Sequence, residues 1–143
     1  MNKDKLILSL LMITVFAISC DREMLDEKTV IIENSLDMEV SLKFYERGVP
    51  LRITNFTIDG PGRIFERTLK LQGGVEVTDV LEADSILIIF EGQDFERHST
   101  DNRPRGNSLF NGSSYQRESE NVVLYTINEK NLSNAVPCEG ICQ

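Results

Sequence analysis

Between Val30 and Ile127 the apolar residues recur at every second position or in short unbroken runs, and no stretch repeats at 3.6 residues for long enough to make a long helix. Such a chain buries its apolar side chains from strands. Met38, Val40, Leu42 and Phe44 alternate with Glu39, Ser41, Lys43 and Tyr45, which places the apolar set on one face of a half-buried strand. Ile86-Leu87-Ile88-Ile89-Phe90 is apolar without a break, the pattern of a central strand covered on both sides. Val30-Ile31-Ile32 opens the series, and residues 51–58 follow the second strand, their alternation slipping between Ile53 and Phe56 as a bulge or a sheet-changing bend requires. Asp59-Gly60-Pro61-Gly62 stops regular pairing. Residues 64–71 form the next strand, ended by Gln72-Gly73-Gly74, and residues 75–77 are expected to add a short one. Residues 122–127 are the last, after which Asn128 offers an N-cap for one helical turn over Glu129-Lys130-Asn131-Leu132. About seven short strands with frequent turn residues predict an all-β fold, an antiparallel immunoglobulin-like β-sandwich with a short C-terminal helical turn. A closed barrel is the alternative architecture.

The N-terminus has a different character. A short Lys-bearing start, residues 1–5, precedes an apolar run at 6–16, and Ala17-Ile18-Ser19 stand immediately before Cys20. An apolar run of eleven residues is about half of the roughly 20 a helix needs to cross a bilayer, so the segment has the form of an export signal that is removed. Ser19 followed at once by Cys20 resembles the bacterial lipobox, in which the cysteine thiol receives a diacylglycerol; Ala17 stands where Leu is usual, a position that some bacterial groups relax. The resemblance implies that residues 1–19 are a lipoprotein signal peptide and that Cys20 carries the lipid. Residues 20–28 are then the lipidated cysteine and a charged, flexible spacer, 29–136 the sandwich, and 137–143 a C-terminal tail. Several acyl chains on one terminus anchor stably, whereas one binds only marginally.

Composition narrows the partners. Without residues 1–19 the chain keeps 13 basic and 22 acidic residues, a net charge of −9. Nucleic acid, which calls for a basic surface, is excluded as a partner. Anionic headgroups are poor partners for so acidic a surface, which leaves membrane attachment to the lipid. Cys138 and Cys142, in Cys-Glu-Gly-Ile-Cys, are expected to pair in the oxidising compartment that an export signal implies. A redox-active pair is the alternative, but it lacks the two-residue spacing and helix N-terminus that lower a thiol pKa.

Four segments carry a wider likeness: Asn34-Ser35, then Ala83-Asp84-Ser85-Ile86-Leu87-Ile88-Ile89-Phe90-Glu91, then Asp101-Asn102-Arg103-Pro104-Arg105, and finally residues 125–135 from Tyr125 to Ala135. In these the chain resembles the small, functionally uncharacterised single-domain lipoproteins of Bacteroidetes, over about residues 30–136. It departs from them at Gly106 and at the two C-terminal cysteines. The resemblance implies an outer-membrane, lipid-anchored location, at the cell surface or the periplasmic face, and a β-sandwich; it brings no catalytic residues. The acidic residues behind Cys20 resemble a surface-export signal of the same group, with a plain solvated linker as the other reading. Asp84-Ser85-Ile86 matches the short sequon that Bacteroidetes use for O-glycosylation, at a position where the strand pattern independently wants a strand start.

Chemistry is sparse. The one histidine, His98, lies beside Ser99 and near Asp101, and reads as a solvated loop residue rather than part of a triad. One histidine and two C-terminal cysteines make no zinc spacing, and Asp94 with Glu96 has no informative carboxylate spacing. Glycine-rich phosphate motifs are absent, and no catalytic, cofactor-binding or metal-binding residue is assigned. What remains is the connection 93–121, twenty-nine residues long, which holds four of the nine arginines together with Phe95, Phe110 and Tyr115. Arg103, Arg105 and Tyr115 are the candidate binding residues, suited to a carboxylate-bearing glycan or an acidic protein face. The competing reading has Phe110 and Tyr115 covering the sandwich while the arginines pair with nearby carboxylates.

The sequence thus predicts a non-enzymatic, membrane-anchored interaction module with a protein or glycan partner. The alternative is a hydrolase or enzyme accessory protein with an unrecognised site. Intact mass of the protein from the membrane fraction is expected to show a lipid-modified Cys20 at the N-terminus. Residues 1–19 still attached, or an unmodified cysteine, would overturn the lipoprotein reading.

Overall fold

The computed structural model describes residues 25–101, 106–140 and 142, with backbone alone at 52–54. Strands β1 (Leu25–Asn34), β2 (Glu39–Glu46), β3 (Val49–Asp59) and β4 (Gly62–Gln72) lead into helix α1 (Val77–Leu81). After it come β5 (Ser85–Phe90), β6 (Asp94–Ser99), a 3-10 turn (Gly112–Ser114), β7 (Gln116–Arg117), β8 (Val122–Ile127), α2 (Glu129–Asn134) and β9 (Val136–Pro137). They form two sheets, ordered β4-β1-β8-β7 and β3-β2-β5-β6-β9. The fold is the all-β sandwich with a small C-terminal helix that the period-two pattern predicts. All pairings are antiparallel except β1 with β8, which run parallel from Thr29 opposite Val122 to Asn34 opposite Ile127.

The core lies between the sheets. Val40, Leu42 and Phe44 of β2 and Ile86, Ile88 and Phe90 of β5 face Val30 and Ile32 of β1 and Tyr125 and Ile127 of β8, all at most 2% exposed. Each such side chain contributes about 1.5–3 kcal/mol relative to leaving it in water. β5 sits in the middle of its sheet, and Ile89, on its outer face, is also 2% exposed. The slip expected between Ile53 and Phe56 is present. Pairing of β2 with β3 jumps from Lys43 opposite Asn55 to Tyr45 opposite Pro50, so β3 bows out opposite Phe44.

Four local expectations are corrected. The spacer does not extend to residue 28, because Leu25–Lys28 already pair with 69–72 of β4, Glu27 forming an ion pair with Lys70 at 2.6 Å. Residues 75–77 are no strand: Val77, Val80 and Leu81 are buried at helical spacing, and the carboxylate of Asp79 accepts from the Glu76 amide at 2.8 Å, starting α1. The connection 93–121 is no loop throughout, since it contains β6, β7 and the 3-10 turn. The tail is no free end either: β9 pairs with Asp94 and Phe95.

Cys138 and Cys142 are joined, with Cα atoms 5.6 Å apart. The Cys138 amide donates to Gln93 at 2.8 Å, the Cys142 amide to Gly92 at 3.2 Å, and Lys43 Nζ to the Cys142 carbonyl at 3.2 Å. Lys43 lies on the outer face of β2, so these bonds tie the closed tail to the β5–β6 turn and to the outer face of that sheet. In the chain-entropy picture so small a loop is worth about 2 kcal/mol, and the stabilisation is local. Replacing both cysteines by Ser is expected to lower stability by no more than about 2 kcal/mol and to raise amide exchange at residues 136–142 selectively. A global loss of folding would show that the tail is part of the core.

Candidate functional site

Two regions could support chemistry or binding, one polar and one apolar. The polar one starts from β6, whose alternation is inverted: Glu96 and His98 face the core while Phe95 and Arg97 face out. His98, expected in solvent, is therefore 4% exposed. Its Nδ1 accepts from the Leu109 amide at 2.9 Å, which leaves the proton of a neutral ring on Nε2, 3.0 Å from Glu96 Oε2. That contact is poorly aligned, and Nε2 has no other hydrogen-bond partner among the described residues. Glu96 is otherwise well held. Asn131 Nδ2 donates to Oε2 at 2.8 Å and to the Tyr125 hydroxyl at 2.8 Å, and Asn134 Nδ2 donates to Oε1 at 3.0 Å. Asn131, wholly buried, also accepts from the Asn128 amide at 3.1 Å, so one amide both starts α2 and fixes the buried carboxylate.

Burial acts to raise the Glu96 pKa, but the close contact with His98 and the hydrogen bonds from Asn131 and Asn134 together outweigh it and hold the carboxyl below its ordinary value of 4.5. Burial raises both Tyr115 and Tyr125, so both hydroxyls stay protonated. A shallow polar groove bordered by Asp101, Asn107, Ser108, Lys130 and Asn134 lies beside the Glu96–His98 pair.

Tyr115, expected to reach out to a partner, turns inward instead. Its ring packs against Tyr125 with centroids 5.5 Å apart, and its hydroxyl donates to the Leu109 carbonyl at 2.7 Å. Phe110 is 6% exposed within the core. These two aromatics cover the sandwich, as the competing sequence reading has it, and Tyr115 is withdrawn as a contact residue. Arg103 and Arg105 lie outside the described residues, as does Cys20. Ser85 opens β5 at 3% exposure with its hydroxyl donating to Asp84 at 3.2 Å, a strand start rather than an accessible sequon.

The apolar region is a cleft of about 950 Å3 where the sheets part between β3 and β4. Phe44, Phe56 and Phe65 form its floor, each ring within 5.2–5.8 Å of the other two, with Leu51 and Leu81 beside them. The rim carries Glu46, Glu66, Glu82 and Asp84 against Arg47 and Arg67. Arg67 reaches Glu82 at 2.6 Å, and the Arg47 amide donates to the Asp84 carboxylate. The rim stands on tight turns, since Arg47 and Glu82 both adopt left-handed backbone. No sequence signal marks the cleft as such. Its floor residues read only as strand residues, because the parting of two sheets leaves no trace in local alternation.

Because the Glu96 pKa is lower in the folded chain than in the unfolded one, its contribution to stability is present above about pH 4.5 and is lost as pH falls through the folded value. Glu96→Gln is expected to flatten the acid limb of stability against pH, measured by denaturant unfolding between pH 3 and pH 6. Asn131→Ala, which strips two buried acceptors of their donor and removes a helix cap, is expected to cost about 2–4 kcal/mol at pH 7. An unchanged acid limb in Glu96→Gln would mean that the carboxylate is not held in this way.

No family model matches the chain, and neither the curated proteins nor the solved structures give a match.

Proposed function

We propose that this protein is a non-enzymatic binding module, exported and held by lipid on Cys20 at the outer membrane, on the cell surface or the periplasmic face, with a protein or a glycan as its partner. The cleft between β3 and β4 carries this reading. An apolar floor of three phenylalanines inside a charged rim is the arrangement that recognition sites use, desolvated anchors at the centre and polar groups around them. A volume of about 950 Å3 lies within the range of roughly 300–1,000 Å3 common for small-ligand pockets and for anchor-residue pockets. Kinship with the Bacteroidetes lipoproteins accords with this reading, resting on the segments that resemble them. The acidic mature chain again argues against nucleic acid.

The hydrolase or enzyme-accessory reading rests on the groove beside Glu96 and His98, where a histidine and carboxylates do meet. The binding reading is preferred because both ring nitrogens of His98 face protein atoms, Leu109 and Glu96, and the ring is 4% exposed. A general base needs a lone pair within reach of substrate. The neighbouring hydroxyl is no nucleophile for it, since Ser99 follows His98 on the strand and so projects to the opposite face.

A photo-crosslinking residue at Val49, 64% exposed at the hairpin next to the cleft, is expected to trap a partner in intact cells. The same probe at Arg103 or Arg105 serves as the comparison. Trapping from 103 or 105 alone would move the contact to that loop, and trapping from none of the three would remove the support for a binding module.

A further inference from the structure

The charge and shape of the cleft say more than that something binds there. Its rim sets four carboxylates, on Glu46, Glu66, Glu82 and Asp84, against the two guanidiniums of Arg47 and Arg67. Arg67 is paired with Glu82 and Glu66 with Arg63, which leaves Glu46 and Asp84 against Arg47. The rim is thus net acidic around an apolar floor, in a protein that is acidic throughout. A carboxylate-headed lipid or an acidic glycan would meet repulsion on entry, whereas a cationic group next to an apolar one is complementary to both parts.

The walls add a second constraint. β4 is the outermost described strand of its sheet, so from Gly62 to Leu71 it presents on its outer edge a row of backbone donors and acceptors that its own sheet does not use. β3 also bows away from β2 opposite Phe44. Extended backbone can pair along such an edge and drop alternate side chains into the opening, which an acyl chain cannot do.

We infer that the cleft seats an extended, lysine- or arginine-bearing segment of a partner protein, with one large apolar side chain of that segment on the Phe44, Phe56 and Phe65 floor and its basic groups against Glu46 and Asp84. This rests on the binding-module reading and narrows it to a protein partner of stated chemistry. It also reverses the charge expected from the arginines of 93–121: the partner is basic, not acidic.

The test uses the mature lipoprotein in lipid nanodiscs and two short fluorescein-labelled peptides, one with phenylalanines flanked by lysines, the other identical except for glutamates in place of the lysines. The lysine peptide is expected to bind, and the glutamate peptide to bind at least about tenfold more weakly. Glu46→Lys with Glu66→Lys, two exposed positions that leave the core untouched, is expected to invert that preference. Phe56→Ala is expected to abolish binding while the thermal transition persists; if that variant does not fold, the charge-reversal pair decides alone. Equal binding of the two peptides, or preference unmoved by the charge reversal, would overturn the proposal. Displacement of a bound dodecanoate or dodecylamine probe without any peptide binding would overturn it too, in favour of a lipid site. In either case a partner trapped from intact cells through another surface would leave the binding-module reading standing, while no trapped partner would take both down.

Discussion

Asn34 holds the two sheets in register, and most of the rest follows from it. The residue is 1% exposed at the end of β1. Its amide nitrogen donates to the carbonyls of Met38 at 2.9 Å and Gly60 at 3.0 Å, and its oxygen accepts from the Leu36 amide at 2.9 Å. One side chain therefore ties together the end of β1, the start of β2 and the turn that carries β3 into β4, two of the places where the chain passes between sheets. Unsatisfied, those buried groups would each cost about 1–3 kcal/mol, so a residue without both a donor and an acceptor here would loosen both crossings at once. Gly60 and Gly62 complete the turn with positive-φ backbone, and a Cβ at Gly62 would meet the Ile58 side chain at 2.7 Å and displace it. Ser35 then donates to Ile127 from both its amide and its hydroxyl, which fixes the parallel partner of β1.

A second buried polar network works at the other side of the core. Tyr125 belongs to one sheet, Glu96 and His98 to the other, and Asn131 to the helix that follows β8, so a single chain of bonds spans all three. Such a network adds little net stability over an apolar filling of the same volume, yet it admits few alternative packings, because any slip leaves a carboxylate or an amide buried without partners. It also accounts for the histidine. His98 is held by Leu109 and Glu96 and closes the core beneath the segment that returns to β7, a structural duty consistent with its burial.

The sandwich was legible in the sequence wherever apolar residues mark the buried face. Val40, Leu42 and Phe44, the unbroken run from Ile86 to Phe90, the slip before Phe56 and the Asn128 cap all stand where alternation and turn chemistry put them. It was illegible where polar residues take core positions. β6 buries Glu96 and His98 and exposes Arg97, so its alternation reads backwards and the strand looks like loop. α1 was missed because five residues give too little periodicity to distinguish a helix from a strand. Tyr115 illustrates a different limit. An aromatic among arginines is equally a binding residue or a lid, and only its hydrogen bond to Leu109 and its contact with Tyr125 decide.

The position of the cleft relative to the anchor follows from chain length and register. Between Cys20 and Leu25 five residues can span at most about 18 Å, so the lipid proposed on Cys20 would keep the start of β1 close to the bilayer surface. At that end Leu25 pairs with Gln72, and the ribbon of β1 and β4 continues for several residues before β8 joins at Thr29. The cleft begins farther along, where Arg67 lies opposite Val30 and Phe65 opposite Ile32, roughly 17–23 Å up the strand from Leu25 at about 3.3 Å per residue. With the strand axis upright, the opening would then stand clear of the headgroups by about the thickness of the ribbon. On the proposed membrane location, an acidic surface would resist lying down on anionic headgroups, which favours that upright pose. A short tether and an acidic exterior, each a poor binding feature alone, would together present the apolar opening to whatever approaches from solution.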